Sequence, residues 1–354
     1  MSYRRIVIDA MGGDNAPEAI IEGVQGALKA NSEIVCLLVG DEARIRPLLA
    51  QHKIGDDRVD VIHAPDVVTM EDDPKTAVDD KPGASINVAA GLIRDGRGDA
   101  LVSAGNTGAT VIACSRIIPR MAGVERGVLA AILPANKSRP GDPGLSIMVD
   151  VGATLHCTVN QLVSFAIMGL HYAHGVLGVE NPRIGLVNIG EEESKGHNVL
   201  VETHKALRRM EGLNFIGNIE GKDVLKGVAD VIVSEGYVGN VLLKGLEGFA
   251  EATVETGRRI YKKNLLSKLG LVMLSPVLKK LKKRLDYSEY GGAPILGFQK
   301  LVIKAHGRSG SRAIMNAILL ADKSAAADLV ANMEASMKAF YLSLFENAGD
   351  GAGV

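Results

Sequence analysis

Residues 5–20 read RIVIDAMGGDNAPEAI, and this stretch decides the fold. An apolar run rich in β-branched residues, Ile6 to Ile8, ends at Asp9. Gly12 and Gly13 then allow a tight turn, and Pro17 stands where the first turn of a helix begins. Strand, glycine turn and helix in such quick succession form the building unit of parallel α/β structure. The same alternation recurs along the chain. The patterning predicts strands over 5–10, 34–40, 59–64, 100–105, 128–134, 146–152, 183–190, 214–220, 230–236 and 300–307. Helical periodicity covers 16–30, 41–52, 84–95, 107–119, 160–177, 196–211, 238–263 and 311–345. In such sheets ligands bind at the carboxyl ends of strands, so candidate site residues are sought there.

Composition narrows the function classes. Only 4% of residues are aromatic and the formal charge is −1, which argues against a nucleic-acid surface. Cys36, Cys114 and Cys157 lie far apart without metal-ligand spacing and read as inert buried thiols of a reducing compartment. The N-terminus goes straight into a strand, with no segment like a signal peptide. No apolar run approaches the roughly 18 residues of a spanning helix. The expectation is a cytoplasmic protein whose membrane contact, if any, is peripheral.

The strand ends carry the chemistry. At the first, Gly12 and Gly13 let backbone approach a ligand, and Asp9 and Asp14 offer carboxylates; a tight turn with an Asp cap is the structural alternative. The pattern is not a dinucleotide fingerprint. VSAGNTGATVIA, 102–113, runs from strand through Gly105, Asn106, Thr107 and Gly108 into an apolar helix. Ser103 and these four residues suit a phosphate or an oxyanion at a helix N-terminus, or simply a capped helix. NIGEEESKGHNVL, 188–200, sets Lys195 and His197 beside three acids. Asn240 and Lys244 lie four apart near a helix start, hence on one face. Lys304 and His306 lie two apart on a strand, with His306 a candidate base, oxyanion donor or structural histidine. No metal-ligand set or covalent-catalysis motif stands out.

Seven segments in register carry a resemblance: IDAMGGDNAP, SAGNTGA, VDVGA, NIGEEESKG, EGYVGNVLLKGLEG, LKKLKKRLDYSEYGGAP and VIKAHG. They resemble the phosphate acyltransferase family of bacterial phospholipid synthesis, the acyl-acyl-carrier-protein:phosphate transacylases, from about residue 4 to 320. The resemblance implies a two-lobed α/β/α sandwich with a mostly parallel sheet, similar to isocitrate/isopropylmalate dehydrogenases and phosphotransacetylases. One catalytic unit over 1–345 is expected, its two lobes flanking a cleft, with a flexible tail at 346–354. The implied reaction moves a fatty acyl group from acyl-carrier protein to inorganic phosphate. The acyl phosphate then serves a membrane glycerol-3-phosphate acyltransferase. A homodimer that needs no redox cofactor is implied. Expected catalytic residues are His306, Lys244, Asn240 and Lys195; expected phosphate or substrate contacts are Asp9, Gly12, Gly13, Asp14, Ser103 and Gly105 to Gly108. The chain departs from the family pattern at 79–85, with Asp79, Asp80 and Ala84, at Glu235, and at 308–310.

One segment stands apart. Residues 256–285 hold ten basic and no acidic side chains, so the rest of the chain carries −11. Leu269, Leu271, Val272, Met273 and Leu274 are followed by Lys279, Lys280, Lys282, Lys283 and Arg284. The pattern predicts a basic amphipathic helical insertion over 256–286, suited to an anionic membrane surface or an acidic carrier protein. Two rival readings remain open at this stage. An NAD-dependent decarboxylating dehydrogenase of the related fold would need substrate arginines along a helix and aspartates for metal. An inactive scaffold would bind membrane or carrier protein without turnover.

Overall fold

Among the described residues a single sheet of eleven strands runs through the molecule. The computed structural model describes residues 3–55, 57–263, 268–270, 272–275 and 287–349. The strands are β1 (Arg4–Asp9), β2 (Ile34–Gly40), β3 (Val59–His63), β4 (Ala100–Ser103), β5 (Val128–Pro134), β6 (Leu145–Val149), β7 (Arg183–Val187), β8 (Asn214–Ile219), β9 (Val231–Val233), β10 (Ala293–Leu296) and β11 (Leu301–Lys304). Their spatial order is β3-β2-β1-β4-β11-β10-β5-β6-β9-β7-β8. β10 is antiparallel to both β11 and β5, and β5 is antiparallel to β6. All other neighbours are parallel. The reversals leave two parallel sections, one around β1 and β4 and the other around β9 and β7.

The helices are α1 (Glu18–Ala30), α2 (Glu42–Gln51), α3 (Pro74–Asp80), α4 (Ser85–Arg94), α5 (Thr107–Ile117), α6 (Val159–Gly175), α7 (Asn198–Arg209), α8 (Gly236–Lys263), α9 (Ser311–Ala326) and α10 (Leu329–Gly349). Strand alternation sorts β1 between the two helix layers. Ile6 and Ile8 join Ile20, Ile21, Ile314 and Ile318 in a core under α1 and α9. Val7 joins Leu101, Val302, Ile86 and Ala113 under α4 and α5. The result is the expected α/β sandwich with a mostly parallel sheet. Asp9, two residues after Val7, faces the α4 side.

Several expectations change. The strand predicted to Gly307 ends at Lys304, because Ala305 to Gly307 turn into the loop before α9. β10 escapes the periodicity: it has four residues, too few for alternation to show, and Pro294 argues against a strand flanked on both sides. α3 is similarly short, started by Asp73, whose side chain accepts from the Thr76 N–H. The helix predicted over 311–345 divides at Asp328, which adopts φ +47°. α10 runs on to Gly349, four residues into the predicted tail; 350–354 lie outside the described residues. All three cysteines are buried, and desolvation pushes the Cys36 and Cys114 thiols up to about 12.

Of the basic segment, Leu271, Lys279, Lys280, Lys282, Lys283 and Arg284 lie outside the described residues. Leu269, Val272, Met273 and Leu274 are helical and exposed, Met273 by 76%. Among the described residues no helix is long and apolar enough to cross a membrane.

Candidate active site

Three turns converge at the carboxyl ends of β1, β4 and β11. Register pairs Asp9 with Ser103 and Ser103 with Lys304, so the three stand in one row across adjacent strands. Asp9 is buried and accepts hydrogen bonds from the hydroxyls of Ser85 and Ser103, both at 2.7 Å. Ser103 Oγ accepts in turn from the Gly105 N–H at 3.1 Å. Burial pushes the Asp9 carboxyl up, against the pull of the two hydroxyls, the Met11 N–H and the Lys304 charge. Asp9 and Ser103, expected as substrate contacts, are thus hydrogen-bonded to each other and, through Ser103, to the turn before α5.

The glycines are there because nothing larger fits. A Cβ on Gly12 would overlap Asp9 Oδ2 and lie 2.7 Å from the Gly105 nitrogen. Gly13 adopts φ +105°, a left-handed conformation that favours glycine. The Asp14 N–H donates to the carbonyl of Gly307 at 2.8 Å, which ties this loop to the turn after β11. The Asp14 side chain is exposed.

Asn106 is the N-cap of α5: its Oδ1 accepts from the Ala109 N–H at 3.2 Å. Its Nδ2 reaches the carbonyls of Met70 and Asp72 at 3.4 Å. The amide therefore closes the turn. Thr107 and Gly108, in the first turn, have N–H groups without intrahelical acceptors, by helix geometry. Together with the positive end of the helix dipole they make this turn electropositive.

His306 stands just past the end of β11, exposed. Its Nδ1 accepts the Arg308 N–H at 3.1 Å. With Nδ1 accepting this bond, the neutral ring carries its proton on Nε2. Partial burial, then the positive charges of Lys304 and Lys244, hold its pKa below the ordinary value. Lys304 itself is 4% exposed. Burial pulls its ammonium down to about 8, opposed by Asp9.

A second group lies at the ends of β6, β7 and β9. Asp150, at φ +66°, accepts from the N–H groups of Gly152 and Ala153 and from the Thr154 hydroxyl. Thr154 Oγ1 receives the Gly236 N–H at 3.1 Å, and a Cβ on Gly239 would overlap the Asp150 carbonyl. This docks the start of α8 on the loop after β6. Asn240 then lies beside Gly152 and is exposed. Lys195 is exposed in the loop after β7, whose backbone is fixed by Asn188 donating to the Lys195 carbonyl at 2.9 Å. His197 Nε2 meets Glu235 Oε2 at 2.9 Å, tying that loop to the β9–α8 turn.

α8 links the two groups. Lys244, one turn beyond Asn240, bonds Glu247 at 2.7 Å, and both act electrostatically on His306. Lys244 thus acts on His306 by charge, and Asn240 lies against the loop after β6. Patterning passed over Ser85, Lys304 and the His197–Glu235 pair as site residues. Ser85 directly follows Ala84, one of the family departures, and its role depends on a partner 76 residues away.

Residues 4–332 match the model of the family described as "Fatty acid synthesis protein". A phosphate acyltransferase of Brevibacillus brevis is 43% identical over 319 residues, covering 90% of this chain and 93% of that protein. One from Trichlorobacter lovleyi is 40% identical over 345 residues, covering 98% of each. Among solved structures, a phosphotransacetylase from Streptococcus pyogenes superposes with a TM-score of 0.59 at 17% identity, covering 92% of this chain and 94% of that one. That likeness is one of fold. The chain belongs to the fatty acid synthesis protein family, whose similar curated relatives carry the name phosphate acyltransferase.

Proposed function

We propose that this protein transfers a fatty acyl group from acyl-carrier protein to inorganic phosphate. The observation that carries the reading is the convergence of the Gly12–Gly13 loop, the α5 N-terminus and His306 at adjacent strand ends, in a chain of this family. The two parallel sections of the sheet act as lobes around the reaction, with α8 bridging them. Phosphate sits at the first turn of α5, where backbone amides and the helix dipole favour an anion. Hydrogen phosphate is already nucleophilic, so positioning matters more than a strong base.

One phosphate oxygen forms the new C–O bond to the thioester carbonyl, and the C–S bond breaks as the tetrahedral intermediate collapses. The pantetheine thiolate leaves, and solvent relays to it the proton that hydrogen phosphate brought. Asn240, Lys195 and the Nε2–H of His306 are suited to stabilise the oxyanion, while Lys244 adds positive charge beside His306. The high thiol pKa of Cys114 supports direct transfer without an acyl-enzyme. The acyl phosphate feeds a membrane glycerol-3-phosphate acyltransferase. The protein works as a homodimer at the cytoplasmic face of the membrane, held peripherally by the apolar residues 269–274 and the basic run after them.

The test is hydroxylamine trapping with purified protein, long-chain acyl-carrier protein and phosphate. Acyl hydroxamate that depends on phosphate is expected. Its absence with verified substrates would refute the activity.

A further inference from the structure

Lys304 is a buried cation with little to do in the fold. It stands on β11 where the alternation Val302, Lys304 directs it into the α4–α5 layer, a place that apolar residues occupy on either side. Among the described residues its ammonium makes one hydrogen bond, to the carbonyl of Ala305, and no ion pair. An ammonium has three N–H donors, and leaving them unspent in a buried site is costly. Asp9 opposes this by charge but makes no ion pair with Lys304 among the described residues. Ser103 stands between them in the row, and two strand spacings separate their backbones by about 10 Å. Asp9 is meanwhile occupied by two serine hydroxyls.

The bond to Ala305 draws Nζ toward the carboxyl edge, the edge where the α5 N-terminus also lies. Ser103, its partner on β4, shapes the turn that starts α5 through the Gly105 N–H. A buried cation with spare donors and a helix N-terminus therefore share one strand end. We infer that Lys304 is the charged floor of the phosphate site, donating its spare N–H groups to the phosphate held over the first turn of α5. This rests on the proposed acyl transfer to phosphate and adds the cation which that reaction's dianionic substrate requires. A backbone turn alone supplies dipoles; Lys304 supplies a full charge where bulk water cannot screen it.

Initial rates of acyl phosphate formation, varied separately in phosphate and in acyl thioester, give two KM values. Lys304→Met is expected to raise the phosphate KM about 10- to 100-fold, the effect of losing a charge-assisted hydrogen bond. The acyl-thioester KM should stay within about twofold, because uniform binding of that substrate is untouched. A folded Lys304→Met protein with the wild-type phosphate KM, or with a loss confined to kcat, overturns the assignment. Should that variant not fold, wild-type protein carrying ε-13C lysine answers the question. The Lys304 signal, recognised because burial makes it titrate below the exposed lysines, is expected to shift on titration with inorganic phosphate. No shift at millimolar phosphate overturns the assignment too. If wild-type protein forms no acyl phosphate, the proposed reaction fails, and the same titration decides the lysine independently.

Discussion

Asp9 and Ser103, 94 residues apart in sequence, share a 2.7 Å hydrogen bond at the ends of adjacent strands. Through Ser103 the bond continues to the Gly105 N–H, so a buried carboxyl at one strand end fixes the turn at the next. Ser103→Ala would leave the buried Gly105 amide without its partner and take one hydrogen bond from the Asp9 carboxyl. A stability loss of about 1–3 kcal/mol is expected, read as a lower urea midpoint with unchanged m-value. Activity should fall with it, because the α5 turn loses its anchor.

Gly12 tests the packing of the same site. Gly12→Ala forces a methyl against Asp9 and Gly105, with a cost of about 1–3 kcal/mol or more from overpacking. Gly91, within α4, has nothing within 4 Å of where an added methyl would lie, so Gly91→Ala should instead stabilise by about 0.5–1 kcal/mol. Thermal melts of the two variants should move in opposite directions.

The acid limb of the pH–rate profile should report His306. Its pKa is held below the ordinary value by burial and by Lys304 and Lys244. The folded ring then binds fewer protons than the unfolded one as pH falls below about 6.5. The stability this contributes is complete above that pH and is lost as pH drops through the folded pKa. Activity should fall over the same window, since a proton on Nδ1 breaks the bond from the Arg308 N–H. Lys244→Met removes one cation and leaves Glu247 without its ion-pair partner, and both changes raise the ring pKa. The acid limb of kcat/KM should move to higher pH. A limb that stays in place would contradict the electrostatic link between α8 and His306.

Glu235 and His197 offer a test of coupling between loops. Their 2.9 Å contact joins the Lys195 loop to the start of α8. The pair is half exposed, so its effect on stability is small, about 0.2–1 kcal/mol. Its effect on catalysis should be larger. Glu235→Gln and His197→Ala should each lower kcat severalfold, and the double variant should be little worse than either alone. Fully additive losses would show that the contact does not position Lys195.

Membrane contact is tested at the exposed apolar residues. Met273→Glu with Leu274→Glu should reduce sedimentation with anionic vesicles by about tenfold, from lost apolar burial and added like charge. Acyl transfer to phosphate in solution should be unchanged.

The sequence alone determined the parallel α/β class, most strand and helix positions, and the glycine turns at strand ends. These are local properties: β-branched runs, 3.6-residue periodicity, caps and glycines act within a few residues of themselves. Tertiary structure decided what each polar residue at those turns does. Asp9 and Ser103 bond one another across strands and Asn106 caps α5, partners that no local pattern announces. The tautomer of His306 is set by the Arg308 N–H. Lys304 was noted beside His306 on one strand, but only register placed it next to Ser103 in a buried row. β10 and the break at Asp328 were hidden for a related reason. A four-residue strand shows no period, and a single left-handed residue leaves no mark on a long helical pattern. Hydrogen-bond partners, burial and charge come from residues far apart in the chain, and only folding brings them within reach.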